Sequence, residues 1–289
     1  MDFPGRDGAR LAYQEAGAGR PLILIHGHMA RGSRWVESGF AGRLAARGYR
    51  VIMPDLRAHG DSARPHDAAA YPPDVLADDG LALIDHLGLG DYDLVGHSLG
   101  GRTAIRMLVR GATPRRAVSV GQGLEAIAHT ADRTVWARMF FSGCGTGTFE
   151  PGTDEHEQEA SLLAAGGDPR ALLLALGSWV DTSPAELAAI TVPVLVVTGA
   201  DDWHSETAQV LADAMPRGRH QEVPGGHSGS ATSAHFEEAL AALPRREAPA
   251  RHPPPHPATP CPASPCPQPA WRGDLDHTIP FHHQRSGSV

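Results

Sequence analysis

Apolar residues are concentrated in six short runs that recur between residues 20 and 227. Most of these runs are continuous rather than alternating, which is typical of parallel strands buried on both faces. Residues 2–16 instead alternate between apolar and polar positions around Asp7-Gly8, a pair that favours a hairpin turn. The six runs predict strands at 20–27, 50–56, 92–98, 116–123, 192–202 and 218–227, the last of them more polar and nearer a sheet edge.

Amphipathic stretches separate these runs and predict the helices. Ser33 is a residue that caps helix N-termini well, so we place one helix over 34–47 directly after it. Strands that alternate with helices build an α/β fold: a mostly parallel sheet, here of eight strands, with helices on both faces. The remaining helices are predicted at 73–87, 99–110, 205–214 and 233–242.

One connection is far longer than the others. Counting the two strands of the hairpin at 2–16, the strand that ends near Gly123 is the sixth. About seventy residues separate it from the next strand, which begins near Val192. A crossover needs only one helix, so we interpret the excess as a small helical cap over the carboxyl edge of the sheet, where open α/β sheets bind ligands. The predicted domains are a core at 1–123 and 186–244, and the cap at 124–185.

The composition changes near Leu243, where prolines become dense and aliphatic residues almost disappear. Such a segment cannot bury enough apolar surface to offset its ordering entropy, so we predict that 245–289 is disordered. Cys261 and Cys266 in this segment lack the C-x2-C spacing of common zinc sites, and no metal site is predicted. A proline-rich segment that binds a partner remains the alternative.

Charge and composition narrow the class of protein. The chain of 289 residues has a formal net charge of −8, which argues against nucleic acid as its main partner. No segment approaches the roughly 20 apolar residues of a membrane span, and the polar N-terminus lacks a secretion signal. Three cysteines make a disulfide framework improbable. We expect a cytoplasmic protein that acts on a small molecule without a metal or other cofactor; the sequence carries no signal for its oligomeric state.

A candidate nucleophile stands where the strand at 92–98 turns into the helix at 99–110. Residues 96–100, Gly-His-Ser-Leu-Gly, match the G-x-S-x-G pattern. A strand that turns at once into a helix needs small residues around the turn, and the turn exposes the hydroxyl of Ser98 at the sheet edge. The start of the helix behind Ser98 favours negative charge that develops in a reaction there.

A serine nucleophile needs a base and an acid that orients the base, and both are expected after later strands. His227 lies in a glycine-rich loop after the last predicted strand, and Asp201 and Asp202 follow the strand before it. The chain order Ser, Asp, His is the order expected for this architecture. The residues alone leave the choice between the two aspartates open, with Glu125 as a further candidate.

An oxyanion hole requires two backbone N–H groups near the serine. One is predicted to come from Leu99, the residue after the nucleophile, and the other from His28, after the strand at 20–27. His26 in the same loop is predicted to bond the loop backbone.

These segments together resemble the α/β-hydrolase superfamily over roughly residues 10 to 243, in the serine-nucleophile branch with a helical cap. The family usually carries its acid as G-x-x-D, which selects Asp202. Asp55, Arg57, His59 and Ser62 match a structural loop of the family and are expected to be scaffold. The resemblance rests on "HGH" at 26–28, "DLRAHGDS" at 55–62, "GHSLGG" at 96–101, "GADD" at 199–202 and "GGH" at 225–227.

The resemblance implies a carboxylesterase-like hydrolase that cleaves an ester or lactone through an acyl-enzyme on Ser98. A serine nucleophile disfavours the epoxide- and halide-opening members, which use aspartate. An amide or carbon–carbon hydrolase, with Arg31, Arg34 or Arg102 on the substrate, stays open, as does a receptor without activity. Seven apolar side chains are predicted to line the pocket and favour a small to medium apolar substrate: Met29, Trp35, Trp136, Met139, Phe140, Trp179 and Trp203.

Overall fold

An eight-stranded sheet runs through the computed structural model, which describes residues 1–242. The strand order is β1-β2-β4-β3-β5-β6-β7-β8. The pairs β1–β2 and β2–β4 are antiparallel, and β3 to β8 are parallel to one another. The predicted mostly parallel α/β sheet is thereby confirmed. The strands are β1 Asp2–Pro4, β2 Arg10–Ala16, β3 Arg20–Ile25, β4 Tyr49–Pro54, β5 Asp93–His97, β6 Arg116–Val120, β7 Val194–Gly199 and β8 Gly218–Val223.

Helices connect the parallel strands. They are α1 Ser33–Glu37, α2 Phe40–Ala46, α3 Val75–His86, α4 Leu99–Val109, α5 Leu124–Ala128, α6 Thr130–Arg133, α7 Val135–Gly143, α8 Asp154–Ala164, α9 Pro169–Gly177, α10 Pro184–Ala188, α11 Ser205–Asp213 and α12 Ala234–Ala242.

The single helix predicted over 34–47 is wrong. The structure has two helices there, α1 and α2, because Gly39 adopts a left-handed conformation with φ of 72° between them. A glycine in this conformation commonly ends a helix. Ser33 is the first residue of α1 and does not cap it, since the N-cap is Gly32 and no side chain bonds the helix start.

Apolar side chains pack on both faces of the sheet, which explains why the central strands are continuously apolar. Successive residues of a strand point to opposite faces. In β3, Ile23 and Ile25 belong to one cluster of buried residues, while Leu22 and Leu24 belong to the other. Both faces of β3 are thus removed from water.

Six helices, α5 to α10, lie between β6 and β7. Two aromatic residues of this segment, Phe141 in α7 and Trp179 between α9 and α10, contact the loop that follows β3: their rings lie 5.0 and 5.9 Å from the imidazole of His28, centroid to centroid. These helices therefore cover the carboxyl end of β3. Their action as a cap, and the domain boundaries at 123 and 185, remain predictions.

The proline-rich segment 245–289, with Cys261 and Cys266, lies outside the described residues. Within 1–242, no helix is long and apolar enough to cross a membrane.

Candidate active site

Ser98 occupies a strained turn between β5 and α4. Its backbone angles are φ 53° and ψ −117°, a region that residues with a side chain rarely adopt. The turn is possible because its neighbours lack a Cβ: one on Gly96 would lie 2.0 Å from the carbonyl oxygen of Gly100, and one on Gly100 would lie 2.4 Å from that of Ile25. The two glycines of the motif are therefore required by contact between strand and helix.

Three side chains from separate loops form one hydrogen-bonded chain. His227 Nε2 lies 2.9 Å from Ser98 Oγ, and His227 Nδ1 lies 3.0 Å from Asp202 Oδ2. The carboxylate accepts from Nδ1–H, so Nε2 is the unprotonated nitrogen that faces the serine hydroxyl. Sequence reasoning named these three residues, and the structure brings them together.

The carboxylate of Asp202 is buried and well supported. Its other oxygen, Oδ1, accepts from the backbone N–H of His204 at 3.0 Å, and the residue is 2% exposed. Burial by itself raises the pKa of Asp202, but the hydrogen bond from His227 and the bond from the His204 N–H outweigh it, so the pKa is lowered overall. Asp201 and Glu125, the other two candidates, are exposed.

Gly121, after β6, leaves room for the pair of His227 and Asp202. A Cβ at this position would lie 2.9 Å from His227 Cε1 and 3.4 Å from Asp202 Oδ2. Gly121 also has a φ of 68°, which favours glycine.

Two further residues hold the turn and the histidine loop, and sequence reasoning missed both. His97 Nε2 donates to the carbonyl oxygen of His227 at 2.9 Å, which ties the strand end to the loop of the base. Gln122 Nε2 donates to the carbonyl oxygen of Ser98 at 2.8 Å. His97 fills the first variable position of G-x-S-x-G, and its distance of 130 residues from His227 gave no local signal.

The loop after β3 passes beside Ser98. A Cβ on Gly27 would lie 3.2 Å from the Cβ of Ser98, so the loop backbone adjoins the serine. Among the described residues, the backbone N–H groups of His28 and Leu99 donate to no backbone acceptor. Both are therefore free to bond a substrate oxygen, as an oxyanion hole requires.

His26, buried under this loop, makes the predicted bonds to backbone. Its Nδ1 donates to the carbonyl oxygen of Gly27 at 2.7 Å, and its Nε2 accepts from the N–H of Leu56 at 3.1 Å. Burial lowers the pKa of His26 to about 4, so the ring is neutral near pH 7.

The loop after β4 makes structural contacts, as expected, through Asp55, Arg57, His59 and Ser62. Asp55 accepts from the N–H groups of Gly32 and Asp61, which holds the loop after β3 against the loop after β4. The carbonyl oxygen of Asp55 accepts from Ser62 Oγ, and the carbonyl oxygen of Arg57 accepts from His59 Nδ1.

A cavity of about 230 Å³ opens beside Ser98 and His227. Of the predicted pocket residues, Trp35 lines it, and Met29 lines an adjoining cavity. Trp179 packs on His28, and Trp203 stacks on His227 with 4.3 Å between ring centroids.

Three predicted pocket residues, Trp136, Met139 and Phe140, do not line the Ser98 cavity. The first two are 51% and 70% exposed. Phe140 is buried between the rings of Trp136 and Phe149 in an aromatic stack within the inserted helices. Apolar character alone did not separate this stack from a substrate pocket.

Within residues 1–242, no three His, Cys, Asp or Glu side chains are grouped so as to hold a metal ion. The chemistry available at this site is that of the hydroxyl, the imidazole and the carboxylate: nucleophilic attack with proton transfer.

Comparison with known proteins agrees with the fold described above. The family model of the α/β-hydrolase fold matches residues 20–139. The matched residues and the order of the strands agree with the α/β-hydrolase fold. The chain is 29% identical over 258 residues to a non-heme haloperoxidase of Rhodococcus erythropolis. The alignment covers 78% of this chain and 92% of that protein.

Two further proteins are similar to this chain. This chain is 37% identical to the 2-hydroxymuconate semialdehyde hydrolase of Pseudomonas sp. strain CF600 over 103 residues. These residues are 36% of each of the two proteins. An esterase from Exiguobacterium antarcticum superposes with a TM-score of 0.66 and 19% identity, covering 83% of this chain and 96% of that one. This last likeness is one of fold.

Proposed function

We propose that the protein is a serine hydrolase that cleaves a carboxylic ester or a lactone of small to medium size through an acyl-enzyme on Ser98. The observation that carries the proposal is the hydrogen-bonded chain from Ser98 through His227 to Asp202, with 2.9 and 3.0 Å between the bonded atoms. A nucleophile, a base and an orienting acid in this order are what acyl transfer needs.

In the first half of the proposed reaction, Ser98 Oγ attacks the substrate carbonyl carbon while its proton passes to His227 Nε2. The carbonyl oxygen becomes negative and accepts hydrogen bonds from the N–H groups of His28 and Leu99. Asp202 holds the ring and stabilises its positive charge. The bond to the alcohol then breaks, and His227 returns the proton to the departing oxygen.

In the second half, water takes the place of the alcohol. His227 accepts a proton from the water as its oxygen attacks the acyl carbon, and the bond between that carbon and Ser98 Oγ breaks. The proton returns to the serine, and the carboxylic acid leaves. The free enzyme is regenerated without a metal or a redox step.

The test is a rate series with p-nitrophenyl esters from acetate to decanoate. Wild type should show a maximum at one chain length, and Ser98→Ala should lower kcat by about 10⁴-fold or more, as in comparable triads. Ser142→Ala, an exposed serine of α7, is the matched control. Normal turnover by Ser98→Ala would refute Ser98 as the nucleophile. No ester hydrolysis by folded wild type would refute the ester and lactone substrates and favour an amide or carbon–carbon substrate, or a receptor.

The similarity to the haloperoxidase favours a second candidate reaction, since the alignment with this chain covers 92% of that protein. Hydrogen peroxide would replace water as the acceptor of the acyl group: its oxygen bonds the acyl carbon, Ser98 leaves, and a peracid forms with no net redox change at the enzyme. Peracid production from acetic acid and peroxide, measured by bromide oxidation, would support this reaction if Ser98→Ala abolishes it.

A further inference from the structure

A second cavity, of about 360 Å³, adjoins the cavity that contains Ser98. We call it the arginine cavity, after Arg31, Arg34 and Arg64 in its lining. Ala30 and Arg34 line both cavities, so Arg34 lies where one meets the other. A molecule bound at Ser98 can therefore extend past Arg34 into the second space.

The charge of this lining is unusual for a protein with a net charge of −8. Three arginines face one acidic residue, Glu37, which already bonds Arg31 at 3.2 Å. Among the described residues, no carboxylate lies within 4.0 Å of the guanidinium of Arg34 or Arg64; Arg64 donates to the backbone carbonyls of Gly60 and Gly166. Unpaired guanidinium groups in a cleft favour an anion.

A buried histidine in the same lining also lacks a partner. His59 is 3% exposed, and its Nδ1 donates to the carbonyl oxygen of Arg57 at 2.9 Å. Nε2 is therefore an acceptor, and among the described residues nothing bonds it. This acceptor suits a donor such as water, and it does not itself bond a carboxylate, which only accepts.

The arginine cavity adjoins the loop of the proposed oxyanion hole and not the loop of His227. Its lining includes Met29, Ala30 and Arg31, which follow directly on His28, the residue whose N–H would hold the carbonyl oxygen. Neither His227, which would return the proton to the leaving alcohol, nor its loop takes part in the lining. Leu162 and Leu172 from the inserted helices add apolar surface suited to a methylene chain.

We propose that the arginine cavity binds a carboxylate at the far end of the acyl group, so that the preferred substrate is an ester or lactone whose acyl chain carries a free acid. Arg34 and Arg64 donate to the carboxylate, and the apolar lining contacts the chain between it and the scissile carbonyl. This inference rests on the proposed function and names its substrate class.

The test compares two esters of equal acyl length, mono-p-nitrophenyl adipate and p-nitrophenyl hexanoate. Wild type should have the higher kcat/KM on the adipate ester. Arg34→Leu should lower the ratio of the two kcat/KM values about tenfold, and Arg34→Lys should keep part of the preference. Arg217→Leu, an exposed arginine next to the start of β8, is the matched control and should leave the ratio unchanged.

A wild type that prefers hexanoate, or an unchanged ratio in a folded Arg34→Leu protein, would overturn the inference. If wild type cleaves neither ester, the proposed function fails instead, and calorimetric titration with adipate then decides the inference alone. Adipate binding that Arg34→Leu weakens tenfold would preserve the anion site; no binding to wild type would remove it.

Discussion

At the scale of single residues, the imidazole of His227 is surrounded by other rings. Trp203 stacks on it at 4.3 Å with an interplanar angle of 23°, and the rings of His97 and His204 lie 5.1 and 5.7 Å away. Trp203 is 69% exposed, so its indole buries little of its own surface. An exposed indole held face to face with the proposed base is placed to stabilise the imidazolium by a cation–π interaction.

Replacing Trp203 by leucine should therefore reduce turnover more than stability. A cation–π contact of about 0.5–2 kcal/mol predicts a fall in kcat of about 2- to 30-fold. The melting temperature should hardly change, because the side chain is mostly exposed. Trp136→Leu removes another exposed indole, one stacked on Phe140, and serves as control. An unchanged kcat in Trp203→Leu would show that the stack has no part in catalysis.

At the scale of elements, the turn from β5 to α4 depends on the close approach of three backbones. The carbonyl oxygens of Gly100 and Ile25 occupy the positions where Cβ atoms on Gly96 and Gly100 would stand. The N–H of Ser98 donates to the carbonyl of Val120 at 2.8 Å, which fixes the turn to β6 as well. The strained φ of Ser98 persists because these neighbours hold it.

Gly100→Ala should consequently destabilise the protein by about 3 kcal/mol or more, since backbone has to move to admit the methyl group. Gly42→Ala is the matched control: this glycine lies in α2, with nothing within 4 Å of its added Cβ. It should stabilise the helix by about 0.5–1 kcal/mol. Urea unfolding of the two variants measures both effects, and equal midpoints would contradict this description of the turn.

The strands and the loops after them were predictable from sequence because each buried strand is a continuous apolar run that ends in a polar loop. Ser98 and Asp202 follow such strands, whereas His227 follows the more polar edge strand β8. The break at Gly39 was not predictable, because the amphipathic pattern continues through it. The roles of Trp136, Met139 and Phe140 were not predictable either, since an apolar face on an inserted helix looks the same whether it packs on the core, on itself or on a substrate.

At the scale of the whole molecule, neutral histidines are buried in the walls of the site. Burial lowers the pKa of His26 and His97 to about 4 and that of His59 to about 3. In the unfolded chain each should titrate near 6.5. Between about pH 6.5 and 4 the unfolded state therefore binds more protons than the folded state, and stability falls as the pH falls.

The free energy of unfolding should accordingly be nearly constant above pH 7 and decrease below 6.5, by up to about 1.4 kcal/mol per pH unit for each histidine. Urea unfolding at pH 7.5, 6.0 and 5.0 covers this window while most carboxylates stay ionised. His59→Gln, which lacks one titrating ring, should show a shallower slope. Stability that does not change from pH 7.5 to 5.0 would contradict the burial of these rings as neutral groups.

The central claim is that Ser98 carries the acyl group, and covalent labelling tests it most directly. Wild type and Ser98→Ala are incubated with a fluorophosphonate, residual ester hydrolysis is followed, and the protein is digested and mapped by mass spectrometry. We expect one phosphonyl group per wild-type chain, on the peptide that contains Ser98, with activity lost in proportion and no label on Ser98→Ala. A label on another residue, or ester hydrolysis by a wild type that takes up no label, would contradict it.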